Sequence, residues 1–195
     1  MDTMLIFVEK FEMRSKLVIF LLLTSFFVAC QKNEKNNPNL ITKDRIGKLI
    51  STIKVSQLDS LFAEDSLVAK NNDNRFSSGD EYAVYRKGGQ EMFRLQPKKS
   101  FDSTSTIGSI QVIDTLFQTK EGLGRGSEFK VVKTNYDISR IENTGRTATV
   151  FIDELNIYVT IDKKDILEPT QMGTKIKTSQ IKDNAKIRHI WLDWD

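Results

Sequence analysis

"TKEGLGRGSEFKVVKTNY", residues 119–136, is the stretch on which the fold turns. It follows an apolar run that reads as a strand, and it sets Gly122, Gly124 and Gly126 ahead of a segment with helical spacing. A glycine-rich turn between a strand and a helix can cradle a phosphate on free backbone N–H groups. A dinucleotide fingerprint, however, needs G-x-G-x-x-G inside a parallel strand–helix–strand unit. The spacing here is G-x-G-x-G, and the strands that follow read as hairpins. A P-loop needs Gly-Lys-Ser/Thr after its glycines, which Gly126-Ser127-Glu128 does not supply. The stretch therefore reads as a structural turn: glycines for positive φ and close backbone approach, and Ser127 to cap a helix around residues 128–136. Arg125, at the helix start, is the one residue here placed to meet an anion.

A second copy of the same approach to a helix lies upstream. "ISTIKVSQLDSLF", residues 50–62, occupies the place in the first half that "GRGSEFKVVKTNY" occupies in the second. Two registers fit, one matching Val55 with Phe129 and Phe62 with Tyr136, the other matching Ser56 with Ser127. The final strand "KIRHIWLDW" superimposes on "TIGSIQVID", pairing Ile107 with Ile187, Ile110 with Ile190 and Val112 with Leu192. Periodicity predicts a short helix near residues 56–64, opened by Ser56 and Asp59, and a turn of helix over 44–49. "NNDNRFSSGD" reads as a loop, and Gly88-Gly89 as a hairpin turn between strands near 81–86 and 91–96. Ile107, Ile110 and Val112 mark a strand with a bulge or bend near Gly108. Strands follow in "DISRIE", "RTATVFID", "LNIYVTID" and "AKIRHIWLDW".

The expected fold is α+β: two tandem helix-loop-helix plus antiparallel-sheet repeats, over residues 41–114 and 115–195, with the helices packed on one face of the sheet. This order of elements resembles the fold of beta-lactamase inhibitor protein and of the small outer-membrane lipoproteins of the barrel-assembly machinery, which use one such unit. The resemblance is architectural and carries over no binding residue.

The N-terminal region sets the compartment. "MRSKLVIFLLLTSFFVAC" has a positive start at Arg14 and Lys16 and an apolar core over residues 17–29, the pattern of a secretory signal peptide. That core is shorter than the run of about 20 apolar residues a spanning helix needs. Its end, "FVAC", resembles the lipobox of bacterial lipoproteins, with Phe27 where the family usually has leucine. The resemblance implies cleavage after a signal peptide of residues 1–29, started at Met13, and diacylation of Cys30. Cys30 is the only cysteine in the chain, so no intramolecular disulfide is possible. Residues 30–40 read as a flexible polar tether. Gln31 stands where the enterobacterial inner-membrane retention signal would place aspartate, and by that resemblance the outer membrane is expected, on its periplasmic face, with the cell surface as the alternative.

Catalytic groupings are scarce. His189 is the only histidine, which excludes a multi-histidine metal site; it reads as a surface residue of the last strand. Asp80-Glu81 and Asp153-Glu154 sit at expected turns, and "NNDNR" falls short of a calcium-loop ligand series. Neither a metal nor a cofactor is expected. Net charge is +3, with acidic residues interleaved among the lysines, unlike the basic stripe of a nucleic-acid binder. The aromatic residues offer more. Alternation puts Ile157, Val159 and Ile161 on one face and Tyr158 on the other; it puts Ile190, Leu192 and Trp194 opposite His189 and Trp191. Tyr158, His189 and Trp191 are thus candidates for contacting a partner, since Tyr and Trp are enriched at interface hot spots. The expected function is a lipid-anchored, non-enzymatic module that binds another envelope protein or envelope component. The alternatives are a carrier with an apolar pocket between sheet and helices, and an envelope hydrolase using paired carboxylates.

Overall fold

The computed structural model describes residues 37–74, 77–168, 171 and 173–194. The expected signal peptide, its Met13 start, Cys30 and the tether up to residue 36 lie outside the described residues. The tether's last residues are folded: Leu40 is buried, and Asn39 and Ile41 exchange backbone hydrogen bonds with Gln118, at 3.1 and 2.9 Å. Among the described residues no helix is long and apolar enough to cross a membrane.

The fold is mostly β. Three two-residue strands, β1 (Ile41–Thr42), β2 (Arg45–Ile46) and β3 (Leu49–Ile50), form a small antiparallel sheet where a turn of helix was expected. The spacing of Ile46 and Leu49 mimics a helical face, but Gly47 lies at φ +56° and turns the chain back, so both side chains reach the core as neighbours in a hairpin. A 3₁₀ turn (Val55–Gln57) then leads into α1 (Leu58–Leu61). Ser56 does not open this helix. Capping falls a turn earlier, with the Lys54 N–H donating to Gln57 Oε1 at 3.0 Å.

The main sheet has eight antiparallel strands. In chain order they are β4 (Ser66–Asn74), β5 (Ser77–Tyr85), β6 (Glu91–Pro97), β7 (Ile107–Val112), β8 (Arg140–Asn143), β9 (Thr147–Ile152), β10 (Ile157–Asp162) and β11 (Ile187–Asp193). The helix α2 (Phe129–Asn135) lies between β7 and β8. In space the order is β4-β5-β6-β7-β11-β10-β9-β8, two meanders joined by their last strands. The expected loop over 71–80 is instead the far end of a hairpin, with Asn71 paired to Asp80 and Asn74 to Ser77. Backbone pairing forms this extension, and its sequence carries no apolar alternation. The described residues hold one short α-helix in each half, with single 3₁₀ turns besides, where a helix-loop-helix pair was expected. In the first half the chain before α1 is taken up by β1 to β3, and in the second the connection from α2 to β8 is too short for another helix.

One row of side chains crosses all eight strands on the inner face: Leu67, Val84, Phe93, Val112, Ile190, Val159, Val150 and Ile141. Leu58 and Phe62 of the first helical segment and Phe129 and Val132 of α2 close over this row in a single core. Each fully buried residue of this size contributes about 1.5–3 kcal/mol.

The two halves repeat one hydrogen-bond pattern. Val55 donates to Ser105 O and Phe129 to Ala185 O; Ser56 donates to Ser103 O and Lys130 to Asp183 O; Ile107 donates to Ile53 O and Ile187 to Ser127 O. Both helices end alike, with Phe62 N–H on Leu58 O and Tyr136 N–H on Val132 O. These pairs have the spacing of the register that matches Val55 with Phe129. The central pairing is also self-consistent: a shift of 80 residues (Val112 to Leu192) turns Val112↔Ile190 into Leu192↔Ile110 and leaves Gln111↔Trp191 at the midpoint. The bulge or bend expected near Gly108 is a register slip, where β6 shifts between Gln96 and Pro97; the matching slip in β10 falls between Thr160 and Ile161.

Candidate functional site

The outer face of the sheet carries its own row: Val68, Ala83, Arg94, Gln111, Trp191, Tyr158, Phe151 and Arg140. Tyr158 and Trp191 are direct cross-strand partners, and their rings stack at 5.1 Å with an interplanar angle of 11°. Phe151 continues the stack at 5.8 Å from Tyr158, and His189 flanks Trp191 at 5.3 Å. The Arg140 guanidinium lies over Phe151, 3.6 Å from the ring centre. All four rings are half-buried. The structure thus brings together Tyr158, His189 and Trp191, the three residues picked out by alternation.

Two groups in the ladder have shifted protonation. Burial pushes the Tyr158 hydroxyl up; a hydrogen bond with Ser109 opposes this and the Asp193 carboxylate adds to it, so the phenol stays neutral. Burial, with the positive charges of Arg188 and Arg125 nearby, holds the His189 imidazole below its ordinary value. Its Nδ1 sits 3.3 Å from Gln111 Nε2, an amide donor, which places the ring proton of the neutral form on Nε2. The surface offers flat rings, neutral polar edges and fixed charges at the rim. Arg94 is held by Glu91 in two hydrogen bonds of 2.8 and 3.2 Å, and Arg140 by Glu142 at 2.9 Å. A depression of about 230 Å³ opens at the Arg140 end, between Phe151, Tyr158 and Asp153. Such a face suits a planar or apolar side chain with polar groups around it. Phe151 was legible, since it opposes Val150 and Ile152 in "RTATVFID". The placement of Arg140 and Gln111 depends on strand register, which alternation within one strand does not carry.

The glycine turn is built into the core architecture. A Cβ on Gly124 would lie 2.6 Å from Phe117 O, and Gly126 has φ +89°. Ser127 does not cap α2. Its hydroxyl donates to Gly124 O at 2.9 Å and closes the turn, while the cap position falls on Glu128. Arg125 is half-buried; its Nη1 donates to Ile113 O at 2.8 Å and its Nε to Arg188 O at 3.3 Å. At the other end of the same seam, Trp194 N–H donates to Gly108 O, the counterpart of Arg188 O under the 80-residue shift. Arg125 therefore supplies with a side chain what the last strand supplies with its backbone. Tyr136 ties the turn to α2 through hydrogen bonds to Glu121, at 2.7 Å, and to Thr119. Burial and the Glu121 carboxylate push its hydroxyl well up.

The acid pairs are dispersed into structural contacts. Buried Asp80 accepts from Tyr82 OH at 3.0 Å and from the Phe101 N–H at 3.2 Å, fixing the loop between β6 and β7. Asp153 faces Arg140 at 3.8 Å, and Glu154 accepts from the Asp137 N–H at 3.3 Å. Among the described residues no group of three or more His, Cys, Asp or Glu side chains could hold a metal ion.

No family model matches the chain, and no curated protein matches it significantly. Among solved structures it is similar to the crystal structure of the uncharacterized protein yfeY from Escherichia coli, at 13% identity and a TM-score of 0.49, over 79% of this chain and 99% of that one.

Proposed function

We propose that this chain is a lipid-anchored envelope protein, acylated at Cys30 and facing the periplasm from the outer membrane. In this reading it is a non-enzymatic module that binds another envelope protein across the outer face of its sheet. The observation that carries it is the ladder of Phe151, Tyr158, Trp191 and His189. Stacked rings are rigid, so little conformational freedom is left to lose when a partner docks on them. We read the two halves as tandem copies of one helix-plus-sheet unit, in an inhibitor-protein-like arrangement. The recurring hydrogen bonds and the self-consistent pairing about Gln111 and Trp191 support that reading. The ladder then starts at the seam between the copies.

The test is a Tyr158→Ala, Trp191→Ala double variant. It should keep a cooperative unfolding transition and lose at least about tenfold in partner recovered by crosslinking from the native envelope, since one hot-spot ring alone carries that much. A folded double variant with undiminished recovery contradicts the assignment of the face. The anchor is tested separately: Cys30→Ala should abolish palmitate labelling and membrane retention of the mature form, and continued labelling would sink the lipoprotein reading.

A further inference from the structure

A second concavity lies on the opposite side of the sheet, beside the point where the described chain begins. It is a cleft of about 490 Å³, within the range of small-ligand pockets. Its floor is apolar: Phe62, Met92, Phe93 and Phe117, the last two ring to ring at 4.5 Å. Its charged lining is Arg45, Lys48 and Arg86 with one carboxylate, Asp65.

The charges on that lining are not equivalent. Arg86 is neutralised by the fully buried Asp114 carboxylate at 2.9 Å, and Lys48 by Asp65 at 2.8 Å. Arg45 is half-buried, yet among the described residues its guanidinium has no ion pair and no hydrogen-bond acceptor. It is held in place by its backbone, which pairs with Thr42 on one side and Ile50 on the other within the small sheet. A half-buried guanidinium without an acceptor, lining the same cleft as those aromatic rings, is complementary to one anionic head carried on an apolar tail.

We propose that this cleft binds an anionic amphiphile, its carboxylate or phosphate on Arg45 and its tail on Phe62, Met92, Phe93 and Phe117. A purely apolar ligand would leave Arg45 unanswered. The site shares no lining residue with the depression on the aromatic face.

Octanoate, octyl phosphate and octanol, each radiolabelled, test this by equilibrium dialysis against the full chain in nanodiscs of zwitterionic lipid, with empty nanodiscs as the blank. Both anionic probes should bind at least about tenfold more tightly than octanol, the difference one charge-assisted hydrogen bond makes. Arg45→Gln should erase that preference without changing octanol binding, and Arg45→Lys should restore part of it. Phe117→Leu, a milder change than truncation, should weaken all three probes together. Preference for octyl phosphate would point to a phospholipid as the natural source, and preference for octanoate to a fatty acid. Equal binding of octanol and the anions, an Arg45→Gln variant that keeps the preference, or no binding at all would overturn the proposal.

Discussion

Arg125 shows how little a side chain's position in sequence says about its use. Beside three glycines at a helix start it looks like a ligand for an anion, whereas in the fold it bridges Ile113 O on one strand segment and Arg188 O on the other. Losing both bonds leaves two carbonyls without their donor, so Arg125→Ala should cost about 1–2 kcal/mol and Arg125→Lys about half as much. Urea unfolding measures both, and added inorganic phosphate should stabilise neither the variants nor the parent chain. Stabilisation of the parent alone by phosphate would reassign Arg125 to ligand binding. Tyr158 and Trp191 were legible because alternation in a half-buried strand is a strong signal. Ser127 was misread because a hydroxyl beside a helix can serve the preceding turn as well as the helix, and only the turn's geometry decides between them.

The two helical segments are counterparts in hydrogen bonding and unequal in packing. Phe129, the first residue of α2, is fully buried, whereas its counterpart Val55 is only partly buried. Phe129→Ala should cost about 3–5 kcal/mol through the cavity it leaves. Val55→Ala should cost about 1 kcal/mol. Denaturant midpoints at unchanged slope check the contrast, and equal losses would mean the second helix does not anchor the core as described. Strands with one apolar face, such as β7 and β9 to β11, could be read from the chain. The outer part of the β4–β5 hairpin could not, because neither of its faces carries an apolar repeat. The β1–β3 sheet was hidden because its paired turns space Ile46 and Leu49 as a helix would.

At the scale of the whole molecule, register turns single-strand alternation into a surface. Knowing that Tyr158 and Trp191 point outward does not say that they touch. The pairing of β10 with β11, and of β10 with β9, stacks them with Phe151 and brings Arg140 over the end. The half-to-half similarity in "TIGSIQVID" and "KIRHIWLDW" was legible as sequence, but that those two strands pair with each other at the centre of the sheet was not. Their pairing makes one continuous eight-stranded face out of two four-stranded ones and sets the ladder beside the seam.

The most direct measurement of this account places a photoreactive side chain on the face in the native envelope. Gln111 and Arg94 lie next to the ladder, and exposed Leu167 and Leu116 lie outside its row and serve as controls. A discrete adduct is expected from Gln111 and Arg94 that disappears with Trp191→Ala, and none from the control positions. Adducts of equal yield from all four positions, or adducts at Gln111 that persist in the folded Trp191→Ala variant, would contradict it.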